Sequence, residues 1–334
     1  MYNDIIIKSS SADGSCDLHS VEDEAFLSLE QPTVWAMHLF ALPFLYFMWK
    51  MEEKMGNNFN SPAESISVNM KGAEGKASMS IGKLILLGLL AGAFIAFGSA
   101  VSSTAAHSIT SVGVCRLVTG SFFPVGLMLI VVCGGELFTG NCLMGMAALN
   151  KQIKISGLIK NLVIVWITNF IGSAFIAFCV YMSGNFNLSG GGLGAYTIKV
   201  ALSKANLTFG QGFFSGIVCN MLVCGAVLAA GAAKDIPGKL LACFFPICAF
   251  VTGGFEHVVA NMYYIPAGLF AKLNPDYVAK AQELYGYTAE QLNSLNFGSM
   301  FSNIGPVTLG NMVGGGIFMG VAYYLIYVRK KDAK

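Results

Sequence analysis

Charge is scarce in this chain. Only 11% of its 334 residues are Asp, Glu, Lys or Arg, less than half the roughly 25% usual for soluble domains. A soluble protein of this length needs a charged skin, and 20 basic and 18 acidic side chains are too few to cover one. That shortage excludes the disordered, coiled-coil and ordinary cytosolic classes. A net charge of +2 leaves no footprint for nucleic acid. The spacings of catalytic and metal sites are missing too, since no HExxH, GxSxG or cysteine–histidine cluster occurs. The nine cysteines lie mostly inside apolar runs, where a thiol serves as a small packing group. The chain is therefore expected to be no enzyme and to hold no metal or cofactor. What it has in abundance is apolar surface, at 55% of residues, with 39 glycines and 25 phenylalanines. Membrane helices tolerate and use glycine.

A bilayer core needs about 20 apolar residues per helix. Residues 82–103, 113–149, 156–183, 207–233, 238–270 and 304–328 qualify. The second and fifth runs are too long for one straight crossing, and each carries polar residues near its middle. Lysine and arginine in the flanks set orientation. Lys71, Lys76, Lys83, Lys151, Lys154, Lys160, Lys234, Lys239 and the tail from Arg329 fall on one side, against Arg116, Lys199, Lys204, Lys272 and Lys280 on the other. An even number of spans then puts both ends of the core on the basic, cytoplasmic side. Residues 61–334 read as the membrane domain and residues 1–60 as an extension. The extension begins acidic, polar and without helical period, which predicts disorder. Its apolar run at 34–49 is short for a span and lacks the basic leader of a secretory signal. It reads as an interfacial segment rich in Trp, Phe and Tyr.

The two halves echo each other. Span two is broken at GGELFTGN (134–141) and span five at GGFEH (253–257), while span three carries NFIG (169–172) and span six NMVG (311–314). Three spans per copy is an odd number, so the copies are inverted. Paired interrupted helices in inverted repeats point to a midplane substrate site, because non-helical backbone at that depth must be buried in protein or line a cavity. The run Gly314-Gly315-Gly316 reads instead as close helix packing.

Ionisable groups at membrane depth are functional candidates, and few are present. Glu136, Glu256 and His257 sit at the breaks. His257 is the most informative, because imidazole changes charge nearest physiological pH. Burial among Phe250, Phe255 and Val258 favours the neutral ring, and an arriving anion favours the cation. A ring balanced between these can share a proton with the anion of a weak acid. A carboxylate lining such a path would repel the anion. Glu256 is therefore expected to turn away and accept backbone N–H groups of the other break, and Glu136 to do the same in reverse. Asn261 falls on the face of His257 if the helix resumes at once, and Thr139 and Asn220 are expected to complete a hydrogen-bonding set around the imidazole. Lys204, at the outer edge of span four, either concentrates anions at the mouth or merely snorkels. A water or glycerol pore would carry paired Asn-Pro-Ala breaks, and no such triplet is present.

The runs GGELFTGN (134–141), GGFEHVVANMYYIPAG (253–268) and VTLGNMVGGG (307–316) resemble the signatures of the formate/nitrite transporter family, in order and spacing, over about residues 61 to 330. The resemblance implies an all-α, aquaporin-like fold of six spans in two inverted three-helix repeats, with spans two and five broken. It implies a homopentamer in a lipid bilayer, each protomer with its own pore, carrying small monovalent anions of weak acids such as formate, nitrite or hydrosulfide. It identifies His257 as the central histidine, Thr139 as the threonine of the broken span, Asn220 as the asparagine of span four and Lys204 as the outer lysine. It implies a cytoplasmic-side constriction at Leu127 and Leu137 with Phe123 nearby, and an outer one at Phe250 with Val223. The segment 61–80 is similar to the family's N-terminal amphipathic helix. Formate or nitrite ranks first among substrates and hydrosulfide second, and the expected location is a bacterial inner membrane.

Overall fold

The computed structural model describes residues 59–329. The acidic N-terminal segment and the apolar run at 34–49 lie outside the described residues. Among the described residues six helices are long and apolar enough to cross a membrane. They are α2 (Ile81–Ala106), α3 (Val112–Cys133), α5 (Ile155–Met182), α7 (Phe209–Ala232), α8 (Ile236–Gly253) and α12 (Phe297–Val328). Shorter apolar helices, α4 (Phe138–Leu149) and α9 (Val258–Ala271), follow the two breaks. The remaining helices are α1 (Pro62–Ser78), α6 (Gly192–Ala205), α10 (Pro275–Tyr285) and α11 (Ala289–Ser294).

Local chemistry sets the helix starts. At α1, Ser61 accepts the Glu64 N–H at 3.4 Å, Glu64 accepts the Ser61 N–H at 2.7 Å, and Pro62 opens the first turn. These bonds hold the Glu64 carboxyl below the usual carboxylate range. The cap is therefore complete above that range and is lost as pH falls through the lowered value. The same reciprocal cap recurs at Thr208 and Gln211 before α7 and at Asn296 and Ser299 before α12. Asp235 caps α8, with proline in its first turn.

Glycine decides how closely the spans cross. A Cβ on Gly172 would collide with the Leu89 carbonyl of α2, and one on Gly314 with the Ile217 carbonyl of α7. Backbone therefore meets backbone at the matched crossings α2–α5 and α7–α12, as small-residue interfaces allow in membranes. Within α12 the residues Val313–Val321 widen to a π-helix, a form found mostly as short bulges at functional sites. It has no counterpart in α5, which stays α-helical throughout.

The repeat is longer than three spans. Each half opens with an extra helix, α1 before the first span and α6 before the fourth. Lys204 consequently lies near the end of α6 and not on the edge of span four, and Lys76 takes the matching place on α1.

Candidate functional site

Both breaks are built alike. The chain leaves α3 through Gly134 at φ +92° and leaves α8 through Gly254 at φ +76°, a region that side chains rarely adopt. The freed backbone is satisfied by one asparagine per half. Asn169 accepts the Phe138 N–H at 2.9 Å and donates to the carbonyls of Gly88 at 2.8 Å and Glu136 at 2.9 Å. Asn311 accepts the Val258 N–H at 2.9 Å and donates to the carbonyls of Gly216 at 2.8 Å and Glu256 at 3.0 Å. Backbone that leaves a helix at this depth needs such partners.

The two carboxylates do not reach for the opposite break, contrary to expectation. Glu256 takes the Lys204 ammonium at 2.8 Å and the Asn261 amide at 2.6 Å. Glu136 takes the Lys76 ammonium at 3.3 Å and the Asn141 amide at 2.7 Å. A buried carboxylate gains more from a cation than from an amide N–H, and the extra helix of each half delivers that cation. Asn161 and Asn303 complete the clusters by accepting from Asn141 at 2.8 Å and from Asn261 at 2.7 Å. The clusters are not identical, and Asn161 also donates to Glu136 at 3.4 Å. Lys76 also donates to Asn141 Oδ1 at 2.6 Å, whereas the buried Asn261 Oδ1 has no donor among the described residues. The Lys204 ammonium lies 5.3 Å from the centre of the Tyr264 ring.

His257 caps α9 with its own ring. Its Nδ1 accepts the Ala260 N–H at 3.1 Å, and its Nε2 lies 2.9 Å from Thr139 Oγ1. A nitrogen that accepts carries no proton, so the neutral ring holds its proton on Nε2 and donates to Thr139. The threonine hydroxyl then keeps its own proton for another acceptor. The ring stacks on Phe250 at 5.8 Å and is only 2% exposed, with Thr139 fully buried. The histidine of the second break and the threonine of the first thus meet at the centre, as read from the sequence. Asn220 does not join them. Its amide donates to the Thr139 carbonyl at 3.2 Å and the Asn311 carbonyl at 2.6 Å, and so fastens the first break to the last span. Asn261 is likewise turned from the imidazole toward Glu256.

Two cavities approach this centre. The larger one, about 950 Å³, is lined by Lys204, Glu256, His257, Phe123 and Phe250 among others. The smaller one, about 240 Å³, is lined by Leu127, Leu137, Lys76 and Asn141 among others. Phe123 packs edge-on against Phe250 at 5.6 Å. It lines the larger cavity with Phe250, whereas Leu127 and Leu137 line the smaller one. Val223 is buried on α7 and lines neither cavity. The part of Lys76, Asn161 and Asn303 in these clusters escaped the reading of the sequence. The repeat held a usable signal, since Asn161 precedes Asn169 by the same interval as Asn303 precedes Asn311.

Comparison with known proteins agrees with this architecture. The profile of the formate/nitrite transporter family matches residues 63–325. A probable formate transporter of Methanothermobacter thermautotrophicus is 39% identical over 294 residues, 83% of this chain and 100% of the relative. The formate channel FocA of Escherichia coli (strain K12) is 32% identical over 278 residues, 81% of this chain and 95% of the relative. Among solved structures, a pentameric formate channel with formate bound superimposes with a TM-score of 0.64 at 34% identity, covering 75% of this chain and 98% of that one. An ion channel of the same family gives 0.67 at 26% identity, covering 78% and 98%. Six apolar spans, two asparagine-stapled breaks and a profile match over nearly all the described residues give one conclusion, that this multi-pass membrane protein belongs to the formate/nitrite transporter family.

Proposed function

We propose that the chain is a channel for small monovalent anions of weak acids, formate first, and that His257 shares its Nε2 proton with the passing anion. The observation that carries the reading is the His257–Thr139 contact at 2.9 Å, held between two apolar constrictions and two lysine-bearing cavities. Stripping water from an anion in a low-dielectric neck costs tens of kcal/mol by idealised Born estimates. Sharing a proton removes most of that cost for formate or nitrite, and chloride has no use for one. Lys204 offsets the Glu256 charge at the outer mouth so that anions can approach, the Phe123–Phe250 neck strips them, the imidazole and the threonine hydroxyl receive them, and Leu127 with Leu137 form the inner neck before Lys76. Glu136, Glu256 and Asn261 hold the loops and lysines in place. Hydrosulfide fits the same chemistry as the alternative substrate. The names of the relatives favour formate, and the pentameric formate channel supports a homopentamer with one path per protomer. The lysine distribution supports α1 and the C-terminal end in the cytoplasm, and the family supports a bacterial inner (cytoplasmic) membrane. Residues 61–334 form the channel domain in this reading, and residues 1–60 are appended to it.

The test is flux into liposomes of formate, nitrite, hydrosulfide and chloride. The parent is expected to pass the weak-acid anions and exclude chloride, and a chloride flux equal to that of formate would end the proposal. Leu127→Ala and Phe250→Ala each widen a dry neck and are expected to let chloride through. Unchanged chloride exclusion in both variants would show that the necks do not select.

Lys204→Gln removes one of the cations that line the outer cavity and leaves the Glu256 charge uncompensated. Formate uptake from outside is expected to fall, and more at low ionic strength, where screening is weak. Equal uptake by parent and variant in low salt would reduce Lys204 to a structural partner of Glu256.

A further inference from the structure

The outer cavity is far larger than its cargo requires. At about 950 Å³ it is roughly four times the inner cavity of about 240 Å³, and it reaches the size at which pockets hold organic molecules of drug size. Its cations are also unequal. Lys204 is spent on Glu256 at 2.8 Å and Lys280 on Glu283 at 3.0 Å. Arg116 and Lys199 line the same cavity with no carboxylate of the described residues in salt-bridge range. The Arg116 guanidinium donates to the Thr252 carbonyl at 3.3 Å, which occupies one of its several N–H groups. Lys199 rests its ammonium over the Tyr285 ring at 4.6 Å and stands 6.0 Å from that of Tyr196. Phe255 adds a further aromatic wall.

From this arrangement we infer that the outer vestibule is a binding site for an organic dianion with an aromatic body, which lodges there and plugs the path. One carboxylate pairs with the Arg116 fork and the other with Lys199, while the ring lies on Tyr196, Tyr285 and Phe255. The ligand stops there, because Phe123 and Phe250 close the floor at 5.6 Å between ring centres. The block is one-sided. The inner cavity is about a quarter the size, and its lysines are engaged, Lys76 by Glu136 and Asn141 and Lys239 by the Ala230 carbonyl.

Phthalate is the probe and benzoate its one-carboxylate control. Titration calorimetry on the purified full chain reads binding without reference to which anion is carried, so this site and the proposed transport stand or fall separately. Phthalate is expected to bind about tenfold tighter than benzoate, the scale of one added charge-assisted pair. Arg116→Gln and Lys199→Gln are each expected to remove that advantage. Lys280→Gln, whose cation is already engaged, is expected to keep it. In liposomes, phthalate outside blocks formate uptake and phthalate inside does not. Equal affinity for phthalate and benzoate would overturn the site. So would an equal loss in all three variants, which would mark a diffuse field, or a block that is the same from both faces.

Discussion

His257→Phe is expected to lower formate flux by about two orders of magnitude, the usual worth of a positioned proton donor, and to flatten its dependence on pH. The phenyl ring keeps the stack on Phe250, which stands at 5.8 Å in the parent, and removes Nε2 with its proton. It also removes Nδ1, the cap on the Ala260 N–H, at a cost of about 1 kcal/mol. That cost is small against the stability of a folded domain, roughly 5–15 kcal/mol, so the protein should assemble. His257→Asn separates the two losses. Asparagine is a good cap and offers an amide N–H, but it exchanges no proton near neutral pH. Both variants are expected to fail in flux and to run as monodisperse oligomers. Parent-like flux in His257→Asn would show that donating a hydrogen bond is enough, and the proton-sharing account would be wrong.

The largest structural effect is expected at Asn311. One side chain serves the Val258 N–H and the carbonyls of Gly216 and Glu256. Leucine is close in volume and serves none of them. Each stranded buried group costs about 1–3 kcal/mol, so Asn311→Leu loses about 3–9 kcal/mol, comparable with the whole stability of a domain. Asn169→Leu is expected to do the same at the first break, because Asn169 holds the matching three groups. Thr308→Val, also on α12, loses the hydrogen bond from Trp166 at 3.1 Å and the one to the Ile304 carbonyl at 2.7 Å, both on a half-buried face, and should lose far less. Yield and thermal stability in detergent are the measurements. An Asn311→Leu protein as stable as Thr308→Val would mean that the second break does not depend on its staple.

The two staples were already visible in the chain as the repeated NFIG and NMVG, but their use was not. Periodic apolar runs and paired glycines mark spans and breaks because a membrane helix satisfies its own backbone locally, so length and hydropathy suffice to find it. The same locality made the inverted repeat legible, since each half repeats its breaks at matching positions. Partner choice is not local. Glu256 was expected to bind backbone, and it finds Lys204, which lies 52 positions away. The resemblance implied Phe123 near the inner neck, and the packing of α3 on α8 sets it edge-on to Phe250, one turn along α3 from Leu127. Asn220 was expected at the imidazole, and the crossing of α7 against α12 points its amide at two carbonyls instead.

Composition and pattern alone determined that this is an all-α membrane protein with two broken spans, because burying a helix in lipid is a demand on each segment separately. Only the tertiary structure decided which groups meet at the centre. It placed Lys76 opposite Glu136, set the imidazole proton on Nε2 facing Thr139, and left Arg116 and Lys199 open to the wider cavity. Those outcomes depend on how far each helix is rotated about its axis and where it crosses its neighbours. Rotation and crossing are fixed by backbone contacts at glycines such as Gly172 and Gly314, between residues far apart in the chain.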